Sequence, residues 1–143
     1  MSVILVRKSF VGDETFDKLK LWVIPVIIKV EERAHTFSLL LDTGAQRTVI
    51  IPAVKEILDI EVSQQSVKGI GVTGDYRYST GKVNLEIGSI PLLDVNVLVG
   101  SLPGLYSKYQ IFGILGADVL QLLSIKINYP EKLLKLERPI VSS

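Results

Sequence analysis

Cysteine is absent from the chain. Disulfides, zinc–thiolate sites, iron–sulfur clusters and thiol nucleophiles are therefore excluded. Histidine occurs once, at His35. That excludes multi-histidine metal sites and leaves a Ser-His-Asp triad dependent on one ring. Charge of one sign is also lacking: 16 Lys+Arg stand against 15 Asp+Glu, for a formal net charge of +1 and no basic run. The electrostatic footprint of a nucleic-acid binder is missing. Long apolar runs are missing too. The most apolar stretch, Leu19–Val30, contains Lys20, Pro25 and Lys29 and runs into Glu31-Glu32. It falls well short of the roughly 20 apolar residues a spanning helix needs. Met1–Phe10 has too short an apolar run for a secretory signal and no small-residue cleavage pattern after it. Cysteine-free composition fits a reducing compartment. The expectation is a cytoplasmic protein with neither nucleic acid nor membrane as partner.

What remains is an ordinary globular composition, 48% hydrophobic and 22% charged over 143 residues, enough for one domain with its own core. Val, Ile and Leu recur along the whole length, without linker, low-complexity tract or tandem repeat, and strand-like segments dominate. Val3–Phe10 reads as a strand, Gly12-Asp13-Glu14 as a polar turn with Asp17 as further solvated loop charge, and Leu19–Val30 as a long strand. Pro25 cannot donate to a ladder and marks an edge or a bulge. His35–Leu41 returns after a turn at Glu31–Ala34. Thr48–Ile51 is a short β-branched run. Pro52–Asp59 reads as a helix with Pro52 at its first position and Val54, Ile57 and Leu58 on one face. Val62–Ile70, Tyr76–Ile87 and Pro91–Val99 are strand-like, and Gly100–Gly113 is turn-rich. Ala117–Leu123 is a short helix with Asp118 complementing its dipole. Ser124–Tyr129 and Leu133–Glu137 close the chain as strands. Many strands with one or two short helices argue for an all-β closed barrel or sandwich rather than a parallel α/β sheet.

The segment Leu39-Leu40-Leu41-Asp42-Thr43-Gly44-Ala45 carries the sharpest chemical signal. Three leucines deliver a carboxylate to the end of a buried strand, where it is costly unless paired or used. Gly44 permits close backbone approach and Thr43 offers a hydroxyl to fix the loop. Asp and Gly are also common turn residues, so a plain Asp-Thr-Gly turn is the alternative at this point.

In its wider context, LLLDTGAQRTVI resembles the catalytic segment of retropepsin-like aspartic proteases, and Ile111–Leu120, IFGILGADVL, is similar to that family's later hydrophobic-hydrophobic-Gly motif leading into a helix. Ser124–Glu137 is similar to the hairpin that follows. The resemblance runs from Leu21 to Glu137 and implies a retropepsin-like lobe over 21–143, with 1–20 as an N-terminal extension forming an interface or edge strand. It implies an aspartic endopeptidase in which two aspartates share a proton, because like charges at that distance do not both ionise. One takes a proton from water and the other polarises the scissile carbonyl. With one Asp-Thr-Gly per chain, the resemblance implies a C2 homodimer pairing Asp42 with its mate, acting on a peptide or protein substrate without metal or organic cofactor. Thr43 would hydrogen-bond across the interface, Gly44 would contact the peptide backbone, and Ala45 would line the cleft. Ile114, Leu115 and Gly116 would support the loop from below. A catalytically silent module that binds extended peptide or mediates protein interaction is the rival reading.

Gly69-Ile70-Gly71-Val72-Thr73-Gly74 fits G-x-G-x-x-G, but strand-like Asp75–Val83 follows where a dinucleotide turn needs a helix. In the resembled family this position holds the flap, a hairpin that closes over substrate. Gly71, Val72, Thr73, Gly74 and Asp75 are its expected tip. Two acidic residues of the retroviral pattern are replaced here by Gln46 and Arg47. Gln46 can still bond a peptide backbone, while Arg47 reverses the charge. His35 reads as a turn or strand-edge residue, Trp22 as core, and Asp94 as exposed.

Overall fold

Alternating burial along β-branched strands decides the architecture. The computed structural model describes the backbone of residues 2–63, 67–71 and 74–139, and the side chains of 6–63, 78–89 and 91–139. In β2 (Val23–Val30), Ile24, Val26 and Ile28 point inward, and in β3 (Arg33–Leu41) Phe37 and Leu39 do the same. These strands form a hairpin, with Ile28 opposite His35 and Val23 opposite Leu40. Pro25 sits opposite Ser38, outside the short stretch Ile27–Lys29 where the other side of β2 pairs. Its missing N–H therefore breaks no ladder.

Four further strands close the barrel. β3 pairs in parallel with a short strand, Gly113–Leu115, which pairs antiparallel with β4 (Val49–Ile50). β4 lies parallel to the strand Ile90–Val99, which is antiparallel to the long strand Gly74–Ile87. That long strand returns to β2 through Leu85 opposite Ile28. Numbered in chain order, β5 is Val67–Gly71, β6 is Gly74–Ile87, β7 is Ile90–Val99 and β8 is Gly113–Leu115. The ring runs β2-β3-β8-β4-β7-β6 and back to β2, while β5, among the described residues, pairs with β6 alone as the outer arm of a hairpin. Closure leaves these six strands without a long open edge.

A second, three-stranded sheet orders β1 (Ser2–Ser9), β10 (Leu133–Pro139) and β9 (Ser124–Asn128), all antiparallel, with a bulge in β1 between Ile4 and Val6. Leu134 and Leu136 of β10 are fully buried and join the same core as Ile24, Leu39 and Leu85.

Among the described residues four short helices decorate this frame: α1 (Glu14–Leu19), α2 (Pro52–Leu58), α3 (Gly104–Lys108) and α4 (Ala117–Leu120). α2 and α4 fall where the sequence places helices, although Ile57 is 52% exposed while Val54 and Leu58 are buried. α1 and α3 are additions to the expected one or two. Asp13, Glu14 and Asp17 are therefore not loop charge. Asp13 caps α1 by accepting the Phe16 N–H at 2.8 Å, Glu14 pairs with Lys18 at 2.8 Å and Asp17 with Lys132 at 3.3 Å. Lys20 takes a left-handed conformation (φ 57°) that ends α1, so β2 begins at Val23 rather than Leu19. Val62 makes only an isolated bridge to Gly81, and the rest of the expected strand up to Val67 includes residues 64–66, outside those described. Among the described residues no helix is long and apolar enough to cross a membrane.

Candidate active site

The barrel brings the two chemistry-bearing motifs together. β3 and β8 run in parallel with Leu41 opposite Leu115, and Asp42 leaves the end of β3 with its N–H on the Leu115 carbonyl at 3.1 Å. The chain then folds on itself. Asp42 Oδ1 accepts the Gly44 N–H at 2.9 Å, and the Asp42 carbonyl accepts that of Ala45 at 3.2 Å. One carboxylate oxygen is thus fixed by the Asp-Thr-Gly turn. Oδ2 has no hydrogen-bond partner among the described residues. Asp42 is half-buried, with Thr43, Gly44 and Gln46 exposed beside it.

The start of α4 carries this loop from below. The N–H groups of Ala117 and Asp118 donate to the carbonyls of Ala45 and Gln46 at 2.7 and 3.1 Å. Asp118 does more than complement the helix dipole. Its Oδ1 accepts the Thr48 hydroxyl at 2.8 Å and its Oδ2 the Thr48 N–H at 3.1 Å, while Thr48 Oγ1 accepts the Gly116 N–H at 3.1 Å. Thr48 is fully buried, and this network satisfies its hydroxyl. Gly116 has to be glycine: a Cβ there would lie 2.5 Å from the Arg47 carbonyl carbon and oxygen. Arg47 is held by Asp118 at 3.7 Å and by the Asn96 carbonyl at 3.2 Å.

Tyr106, on α3, shares the electrostatic environment of Asp42. Burial pushes its phenol above the ordinary value, and the Asp42 charge adds to the shift. The ring of Tyr78, at the foot of the β5–β6 hairpin, lies against Gly100, where a Cβ would come 2.2 Å from Cδ1.

Asp42, Thr43, Gly44, Ala45 and Gln46 therefore occupy one loop, with Ile114, Leu115 and Gly116 directly beneath it. Of the expected hairpin tip, Gly71 faces Gly74 and Asp75 faces Ile70 along the backbone. Val72 and Thr73 lie outside the described residues, as do the side chains of 64–77. Thr48, Tyr106 and the anchoring role of Asp118 escape a reading of the sequence. The available signals were a hydroxyl opening an otherwise apolar run and a carboxylate opening a helix. His35 is exposed, its Nδ1 3.0 Å from the Thr36 carbonyl and its ring 4.8 Å from that of Phe37, away from this loop's contacts. A cavity of about 860 Å³ is lined by Lys29, Arg33, Asp59, Glu61, Lys82 and Asp94 among others, and does not include Asp42.

A sequence model described as aspartyl protease matches residues 26–119, which holds the Asp42 motif and all but the last residue of the second. The chain belongs to the aspartyl protease family. Two solved structures share the fold of this aspartyl protease chain. A retropepsin-like aspartic protease from Rickettsia conorii superposes with a TM-score of 0.58 at 15% identity, over 82% of this chain and 83% of the other. The retroviral protease-like domain of Ddi1 from Leishmania major gives 0.50 at 14% identity, over 84% and 94%. At such identities the likeness is one of fold, and it makes this aspartyl protease a retropepsin-like lobe. No curated protein sequence matches the chain.

Proposed function

We propose that the chain is an aspartic endopeptidase that works as a C2 homodimer, with Asp42 of each copy forming the catalytic pair. The observation that carries this reading is the asymmetry of the Asp42 carboxylate: Oδ1 is held by Gly44, and Oδ2 has no partner among the described residues. A carboxylate positioned on one side and free on the other suits a pair sharing one proton. The ionised member accepts a proton from water as the water oxygen bonds to the scissile carbonyl carbon. The protonated member donates to the carbonyl oxygen. Collapse of the resulting diol breaks the C–N bond, and the amine leaves with a proton from the pair. One chain supplies half of such a site, and a second copy supplies the other half.

Thr43 is assigned to cross-interface bonding, Gly44, Ala45 and Gln46 to the peptide backbone and cleft, and Ile114, Leu115 and Gly116 to support. The β5–β6 hairpin, with its tip at 71–75, is assigned the role of flap. Residues 1–20 are an extension on a single lobe spanning 21–143. A cytoplasmic site of action fits the cysteine-free composition, and no cofactor is called for.

The test is incubation with an unstructured protein mixture from about pH 3 to pH 7, the range over which a carboxylate pair changes state. Asp42→Asn runs in parallel and products are read by mass spectrometry. Cleavage lost in the variant supports the reading. A folded dimer that cleaves nothing at any pH overturns it in favour of a silent peptide-binding module.

A further inference from the structure

The cavity of about 860 Å³ lies where the β5–β6 hairpin is rooted. One wall is Lys82, Val83 and Asn84 of β6, the strand whose other end forms the hairpin. A second is Glu61, Val62 and Ser63, just before β5 begins at Val67. The two roots are tied to each other: Val62 bridges to Gly81, and the Ser63 N–H donates to the Thr80 carbonyl at 2.8 Å. The β2–β3 turn adds Lys29 and Arg33, and β7 adds Asp94. From Arg33, β3 runs nine residues to Leu41 before the chain reaches Asp42. At about 3.3 Å per residue, roughly 30 Å of strand separates the cavity from that carboxylate.

The lining carries both signs of charge. Arg33 is fixed by backbone carbonyls, its Nε donating to that of Leu58 at 2.7 Å and its Nη2 to that of Asp59 at 3.3 Å. Glu31 lies 3.5 Å from its Nη1, and the guanidinium keeps further N–H donors. Lys29 is paired with Glu86 at 3.0 Å. Lys82 and the carboxylates of Asp59, Glu61 and Asp94 have no hydrogen-bond or ion-pair partner among the described residues. Asp94 is set in place by its backbone, which takes a left-handed φ of 55° beside the β6–β7 bulge and donates its N–H to Asn84 Oδ1 at 2.9 Å. An apolar ligand would find only Val30, Val62 and Val83 to pack on, so the cavity suits a polar molecule with a charge of each sign.

Peptide hydrolysis makes such molecules. With water, a neutral amide becomes one carboxylate and one ammonium, so a short product differs from the uncut chain by its charged ends. We propose that the cavity binds short peptides by their free ends, the carboxylate on Lys82 and Arg33 and the ammonium on Glu61 and Asp94, and that bound products restrain the hairpin. This rests on the endopeptidase reading and on the hairpin's role as flap. A ligand that joins residues 61–63 to Lys82 and Asp94 braces both roots against each other, and the opening of a lid often limits kcat. Products then slow turnover from a distance, without occupying the Asp42 cleft.

The probes are tetra-alanine with free ends and the same peptide acetylated and amidated at its ends. Calorimetry uses the Asp42→Asn chain, which leaves them intact. The free-ended peptide is expected to bind, and the blocked one to bind about tenfold more weakly or not at all. Lys82→Met and Glu61→Gln, both at exposed positions, are each expected to weaken binding about tenfold at an unchanged melting temperature. In the parent chain, free-ended tetra-alanine is expected to lower kcat on longer peptides with KM little changed, and Lys82→Met to relieve this. Equal binding of the two peptides, no binding at millimolar concentration, or binding that both substitutions leave intact overturns the proposal while the protease reading stands. Inhibition that raises KM alone overturns it as well. A parent chain that cleaves nothing overturns the protease reading and product control with it, while the calorimetry still decides whether the cavity takes free peptide ends.

Discussion

Thr48 shows how one hydroxyl can hold a loop. It is buried without exposure, donates to Asp118 and accepts from Gly116. Thr48→Val preserves shape but strands the Gly116 N–H and takes one of two hydrogen bonds from Asp118 Oδ1, which keeps that of the Val119 N–H. Such a loss costs about 1–3 kcal/mol, because a buried group is stranded rather than a pair exchanged for water. Urea unfolding is expected to show that loss for Thr48→Val and a much smaller one for Thr48→Ser. The loop resting on Asp118 also carries Asp42, so kcat is expected to fall in Thr48→Val. Tyr106 gives a pH signature at the same scale. Its phenol titrates above the ordinary value of 10.0 in the folded chain because of burial, then the Asp42 charge. Folding thus favours the protonated form. The contribution is fully present below the unfolded-state value and is lost as pH rises through the raised one. Tyr106→Phe is therefore expected to flatten the alkaline fall in stability above pH 10. Parallel urea midpoints for the two chains at neutral pH and in that alkaline range check this.

At the scale of elements, the sequence was most legible where period and punctuation agree. The alternation in β2 and β3 and the proline opening α2 survive into the structure. α1 was hidden because it is one short turn-rich segment whose polar residues, Asp13, Glu14 and Asp17, read as loop. Its only anchor to the core is Phe16, which contacts Phe10 and Trp22 at ring distances of 5.7 and 4.6 Å. α3 was hidden because Pro103 and Gly104 announce a turn, and helix propensity decides little over five residues. The Asp42 loop was legible as a motif, whereas its support was not: Thr48 and Asp118 are 70 residues apart in the chain, and only the barrel joins them. Two elements yield direct tests. Deleting residues 1–20 removes Phe10, Phe16 and the strand that covers β10, exposing Trp22 and the Leu136 side of the sheet. The truncated chain is expected to be destabilised, as judged by loss of its cooperative melting transition, rather than activated. At the foot of the β5–β6 hairpin, Gly100→Ala forces the Tyr78 ring to move. Overpacking of this kind costs about 1–3 kcal/mol, and adding Tyr78→Ala is expected to recover part of it in a double-mutant cycle by urea unfolding.

For the whole molecule, the arithmetic of the site separates a dimeric enzyme from a monomeric one. A retropepsin-like lobe with one Asp-Thr-Gly brings one catalytic carboxylate, and in the proposed homodimer the second comes from the partner through the symmetry axis. On that proposal, loss of assembly is expected to abolish the reaction even when every lobe is folded. Specific activity is expected to fall on dilution through the dimer dissociation constant, in step with the mass measured by light scattering. Mixing gives the sharper result. When parent and Asp42→Asn chains exchange freely in equal amounts, about a quarter of the dimers keep both carboxylates, as random pairing of two-fold partners requires. Activity per parent chain is expected to drop to about half, and to decline further as the variant is added in excess. A monomeric enzyme would keep full activity per parent chain at every ratio.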